Sequence, residues 1–229
     1  MIFTDKILSV GEYYKEIVEK DTIFIHHTAG SHRPDWTIDG WAHDRTKAGG
    51  QLAVATAYVI GGISTTDNDA SFDGKIYRAF DDKYWAHHLG LQYANNKILN
   101  AKSIAIEICN YGPIVKGSDG TFFNYVKKPV PANMVIKLEK PFRGYDYWHK
   151  YTDAQLASLK ALLLDIAARY QKVDIRAGLK LFIHQGAPAF EVNGGALKGV
   201  SGVWSHSSVR SDKFDVYPNP QLIELIKSL

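Results

Sequence analysis

The chain has 229 residues, 45% hydrophobic and 22% charged, an ordinary globular composition with enough length for a sizeable core in one domain spanning 1–229. Its net charge of +3 suits an anionic polymer, yet no Lys/Arg block forms the stripe of a nucleic-acid binder, so none is expected as a partner. No run reaches the roughly 18 apolar residues of a membrane span, and the lone Cys109 excludes an internal disulfide and leaves any metal site to histidines and carboxylates.

Residues 1–20 read as an N-terminal extension. Its first ten residues carry Asp5 and Lys6 and lack a signal-type apolar core, so the chain is expected to be cytoplasmic as synthesised. Residues 11–20 read as a short helix, and 22–27, rich in Ile and Phe, as a buried strand that ends in His26 and His27. Between 35 and 47, Trp36, Ile38, Trp41 and Ala42 recur at helical spacing, and Gly49-Gly50 supplies a stop. Residues 53–60 and 75–80 read as two strands, the second entered through a turn at Asp73-Gly74. In 103–109 the alternation puts Ile104, Ile106 and Ile108 on one face and Glu107 on the other.

Residues 110–150 are rich in Gly, Pro and aromatics without sustained periodicity, and predict a loop-rich insertion with a hairpin around 121–126. Such segments often shape clefts. Thr152 and Gln155 form a capping box, after which Leu156, Leu159, Leu163, Ile166, Ala167 and Tyr170 make one helical stripe. A short apolar segment at 179–184, a Gly-rich stretch to 202, a strand-like 203–206 and a terminal helix over 220–229 complete the chain. The mixture predicts an α/β fold, a central mixed sheet flanked by helices. Trp36, Trp41, Tyr58 and Tyr170 are assigned to the core, whereas Trp85, Tyr145, Tyr147 and Trp148 fall in loop or insertion segments that can line a sugar or peptide groove.

Three metal-binding side chains sit at element ends: His26, His206 and Asp215. Two imidazoles and one carboxylate can hold zinc and leave a fourth position to water, the arrangement of a catalytic site. With no compact His-x-x-x-His pair, spacing alone leaves alternatives open: Asp212 competes with Asp215, and His184 with His206.

The run Ile23-Phe24-Ile25-His26-His27-Thr28-Ala29-Gly30 resembles the first-ligand strand of the zinc-dependent N-acetylmuramoyl-L-alanine amidases of type 2, which include phage lysozyme-type amidases and peptidoglycan recognition proteins. The similarity continues, in the family's order, through Ala57-Tyr58-Val59-Ile60, Asp73-Gly74-Lys75-Ile76-Tyr77, Trp85-Ala86-His87-His88-Leu89-Gly90 and Ser103-Ile104-Ala105-Ile106-Glu107. It closes with Trp204-Ser205-His206 and Lys213-Phe214-Asp215. The family commonly has Pro directly after the ligand Asp, whereas here Val216-Tyr217 intervene before Pro218.

This resemblance implies an amidase or peptidoglycan recognition protein-like fold, Zn2+ as cofactor, and His26, His206 and Asp215 as ligands. It also implies Glu107 as the catalytic proton carrier, Lys213 as a catalytic ammonium at the oxyanion, and His88, Thr56 and Trp85 at the substrate, with His27 mainly structural. The implied substrate is peptidoglycan or a muropeptide, cut between N-acetylmuramic acid and L-alanine. Two alternatives stand beside it: a non-catalytic peptidoglycan-binding module of the same fold, and a zinc hydrolase of another amide. The implied enzyme would serve muropeptide recycling, or act as an endolysin or toxin that reaches the wall after release or non-classical secretion, with targeting in 110–150 or in a partner.

Overall fold

The computed structural model describes residues 2–93 and 95–229. In chain order the elements are β1 (Thr4–Asp5), β2 (Thr22–His27), α1 (Pro34–His43), β3 (Tyr58–Ile60), β4 (Ile76–Arg78), α2 (Asn96–Lys102) and β5 (Ser103–Ile108). An antiparallel block follows, β6 (Pro113–Lys116), β7 (Phe122–Phe123), β8 (Pro129–Val130), β9 (Val135–Phe142) and β10 (Tyr145–His149). Then come α3 (Asp153–Arg169), α4 (Leu179–His184), α5 (Gly194–Leu197), β11 (Gly202–Ser205) and α6 (Pro220–Lys227).

The main sheet has the order β1-β4-β3-β5-β2-β11. The neighbours β3, β5, β2 and β11 are parallel and β4 runs antiparallel to β3, so the expected mixed sheet with helices packed on it is the architecture found. Every residue of β2 is buried, as the continuous apolar run of a central parallel strand requires. From β2 the chain builds β3, β4 and β5 on one side, and only near its end adds β11 on the other. The carboxyl end of β2 is therefore a topological switch point, where α/β sheets open a crevice for ligands.

The cap of α3 forms as its sequence predicts: Thr152 Oγ1 accepts from the Gln155 backbone at 3.0 Å and Gln155 Oε1 accepts from the Thr152 backbone at 3.1 Å. Leu156, Leu159, Leu163 and Ile166 then bury their stripe in the main core.

Several expectations are corrected. Residues 11–20 are not a helix but an irregular strap along the 83–85 segment, through Tyr14 N–H to Trp85 C=O at 2.7 Å and Val18 N–H to Lys83 C=O at 3.2 Å. Tertiary contacts override local propensity here, because the Tyr14 ring stacks on Trp85 at 4.0 Å and the buried Lys20 ammonium donates to the Tyr84 and Ala101 carbonyls. The strand expected over 53–60 is regular only in its last three residues. Residues 110–150 are not mainly loops: they form a five-stranded sheet, β8-β7-β6-β10-β9. Its Leu138, Phe142 and Trp148 join the main core cluster, so Trp148 fills the core and lines no groove. Trp36, assigned to the core, is 56% exposed beneath the Arg33 guanidinium, 4.4 Å from the ring centroid.

Candidate functional site

Parallel pairing brings distant residues to one edge of the main sheet. His26 on β2 lies in register with Glu107 on β5, while Ser205, the last residue of β11, pairs with Ile25. The next residue, His206, opens a 3-10 turn held by hydroxyl contacts of Ser205 with Ser207 at 2.7 Å and Ser208 at 3.0 Å. The Ser207 N–H donates to the Asp215 carbonyl at 2.9 Å, which folds the segment after β11 back so that Asp215 meets His206.

The three candidate ligands converge. His26 Nδ1 and His206 Nδ1 lie 3.1 Å apart, and Asp215 Oδ2 is 3.1 Å from the first and 3.0 Å from the second. His206 Nε2 faces the Leu89 carbonyl at 3.0 Å, and a carbonyl only accepts. Nε2 therefore carries the proton of a neutral imidazole and Nδ1 a lone pair. With that ring neutral, His206 Nδ1 and Asp215 Oδ2 are two acceptors whose contact requires a positive charge between them, either a proton taken up by Nδ1, which then donates to Asp215, or a metal cation. Tetrahedral coordination with bonds of about 2.0–2.2 Å separates ligand atoms by roughly 3.3 Å, close to the observed triangle. The donor set fits a small divalent metal.

Burial pushes His26 down to about 4, with the Asp215 hydrogen bond opposing, which keeps the ring neutral and available as a ligand. With protons rather than a metal between these atoms, burial pushes the Asp215 carboxyl up, but the His206 charge and the hydrogen bonds from His206 and His26 outweigh it and hold the group well below the usual carboxylate range. Glu107 moves oppositely: burial and then the negative Asp215 raise it well above its usual value, with Lys213 opposing. A carboxyl raised in this way takes up and holds a proton more readily than an exposed one.

These groups face a cavity of about 410 Å3 whose wall includes Thr56, His88, Glu107 and Lys213 beside the three converging side chains. Thr56 is buried and its hydroxyl donates to the Tyr58 carbonyl at 3.0 Å. His88 turns its ring to His26, with Nδ1 3.1 Å from His26 Nε2. Trp85 is corrected: it is 2% exposed beneath Tyr14, its indole N–H donates to Glu16 at 3.1 Å, and it is not on the cavity wall. Asp212 stays at the rim, paired with Arg210 at 2.6 Å. Among the described residues the cluster that could hold a metal ion is His26, His206 and Asp215, without Asp212 or His184, which ends α4. The His27 ring sits among Trp148, Tyr151 and Tyr217, its Nδ1 3.1 Å from the Tyr151 hydroxyl.

Trp41 and Phe214 lie on the cavity wall without a pattern that announces it; Trp41 sits at core spacing in α1, and the helical period does not say which flank of a face meets a cleft. The Leu89 carbonyl was equally hidden, since every residue carries one.

The family model for N-acetylmuramoyl-L-alanine amidase matches residues 17–200, which include His26, His88 and Glu107 and stop short of His206, Lys213 and Asp215. No curated protein matches the chain. Among solved structures, the PlyG catalytic domain superposes with a TM-score of 0.51 at 13% identity, covering 100% of this chain and 94% of that one. A selenomethionine AmpD derivative gives 0.51 at 15% identity, covering 99% of each chain. At such identities the likeness is one of fold.

Proposed function

Because the chain belongs to the N-acetylmuramoyl-L-alanine amidase family, whose model covers most of its length, we propose that it hydrolyses the amide between N-acetylmuramic acid and L-alanine in peptidoglycan or muropeptides, with zinc held by His26, His206 and Asp215. The supporting observation is the triangle of three facing atoms that can each ligate a metal, with His206 Nε2 committed to the Leu89 carbonyl. Two imidazoles and a carboxylate suit zinc, and three protein ligands leave a place for water or substrate. Bound there, zinc supplies Lewis-acid polarisation of the carbonyl and acidifies water.

The chain's own residues do the rest. Glu107, in register with His26 and raised by burial, takes the proton of the attacking water and returns it to the departing alanine nitrogen. Lys213, on the same cavity wall, places an ammonium near the developing oxyanion. Thr56 and the rim residues Trp41 and Phe214 bound the space that a sugar-peptide junction would fill.

The test is digestion of purified peptidoglycan and of a soluble muropeptide, with and without chelator, followed by mass analysis of the new termini. The reading expects free L-alanine amino termini that vanish on chelation and return with zinc. New termini elsewhere, or undiminished cleavage in chelator, would overturn it.

A further inference from the structure

The outer nitrogens of both candidate ligand histidines are held by two consecutive residues. His206 Nε2 meets the Leu89 carbonyl, and His26 Nε2 meets His88 Nδ1. Proton direction along the second contact can be followed from its far end. Ser103 Oγ lies 2.7 Å from the Leu99 carbonyl and 3.2 Å from that of Asn100, so its single proton points to a carbonyl. Ser103 Oγ must then accept from His88 Nε2 at 2.7 Å, which leaves a lone pair on Nδ1 of the neutral His88 ring. That lone pair accepts from His26 Nε2–H, and the lone pair of His26 is thereby turned onto Nδ1, the atom in the triangle.

The two residues are pinned from behind. Asn100 on α2 is fully buried, and its Oδ1 accepts from the backbone N–H of His88 at 2.7 Å and of Leu89 at 3.0 Å. Its amide donates to the Asn96 carbonyl at 2.6 Å, which fixes the orientation of the side chain. Neither Asn100 nor Ser103 is on the wall of the cavity that His26, His206 and Asp215 face.

We propose that His88 and Leu89, anchored by Ser103 and Asn100, are a single positioning clamp that sets the tautomer and aim of both imidazoles, and that His88 is a positioning residue for the metal rather than a substrate contact. The inference rests on the zinc reading above. Partners of this kind orient a ligand and raise its basicity, and their loss commonly weakens metal binding 10- to 100-fold.

The experiment is zinc affinity of the full chain by competition with a chromophoric chelator, beside thermal unfolding of the metal-free forms. His88→Phe removes the acceptor and keeps a ring. His88→Asn keeps an acceptor near Nδ1, and Ser103→Ala deletes the far end of the relay outside the cavity wall. The clamp expects roughly 10- to 100-fold weaker zinc for His88→Phe, a smaller loss for Ser103→Ala, and recovery of most of the affinity in His88→Asn, with metal-free unfolding temperatures that do not follow this order. Unchanged zinc affinity in both His88→Phe and Ser103→Ala overturns the clamp, and loss of hydrolysis alone in His88→Phe returns His88 to the substrate groove. A parent protein that takes up no zinc overturns the metal reading instead, which keeps the two failures apart.

Discussion

Two buried aspartates in this molecule are both held below the usual carboxylate range, and only one belongs to a candidate site. Asp82 accepts from Tyr58 at 2.8 Å, from Tyr170 at 2.6 Å and from two Arg169 nitrogens at 3.0 and 2.7 Å. Burial pushes it up, and the bonds from Arg169, Tyr170 and Tyr58 more than offset that. Its charge and lone pairs are satisfied from within the chain. Asp215 instead faces two imidazoles whose nearest nitrogens are aimed at it and at each other, an arrangement that could hold a metal ion. Burial and a shifted carboxyl mark both places; the convergence of three possible ligand atoms distinguishes the candidate site.

The sharpest break in this comparison is Glu107→Gln. The carboxamide keeps the shape and loses the proton carrier, so hydrolysis is expected to fall about 10²- to 10⁴-fold while bound zinc, measured by metal analysis, stays at the parental level. His26→Ala is expected to lose both. Glu107→Gln that loses zinc would move Glu107 into the ligand set. Lys213→Ala comes next, with a drop in kcat of about 10²- to 10³-fold, typical of one oxyanion donor, and little change in zinc content. A change in KM alone would make Lys213 a binding residue.

At Asp82 the expectation is reversed, with stability lost and metal retained. Asp82→Asn removes the charge opposite Arg169 and supplies donors where two hydroxyls and a guanidinium already donate. Arg169 is 39% exposed and can turn to water, so the cost is expected at about 2–3 kcal/mol, below that of a fully buried broken pair. Chemical unfolding measures it. The pH dependence follows from the direction of the shift. A carboxyl depressed in the folded state contributes stability fully above its unfolded value of about 3.9, and that contribution fades as pH falls through the folded value. Asp82→Asn is therefore expected to flatten the acid limb of the unfolding curve below about pH 4; an equally steep limb would assign it to other carboxylates.

The same contrast explains what was legible in the sequence. β2, β5 and the α3 stripe could be read because burial on a regular element leaves a period or a continuous apolar run, and the candidate ligand His26 of β2 stood at the end of such a run. Asp215 was harder to read, since a turn and a backbone bond from Ser207 place it and Asp212 has the same chemistry three residues away. The 110–150 sheet escaped because β7 and β8 have two residues each, too few for a period, and β10 interrupts its alternation where its register with β9 shifts. The strap at 11–20 failed for the opposite reason: its local pattern was readable, but the stacking of Tyr14 on Trp85 decides its shape. The clamp around His88 was invisible because half of it is a backbone carbonyl.

The smallest expected effect concerns the boundary between the site and the second sheet. Gly112 joins β5 to β6 with φ +73°, and a Cβ there would stand 2.7 Å from His27 Nε2. Gly112→Ala is expected to cost about 1–2 kcal/mol through the left-handed backbone and this close approach. His27 and His26 project to opposite faces of β2, so the substitution presses on the face toward Trp148 and Tyr217 and not on the triangle. Zinc affinity is expected to stay within about twofold while the unfolding midpoint falls. If affinity drops in step with stability, the two faces of β2 are mechanically coupled, and the second sheet takes part in aiming the metal ligands.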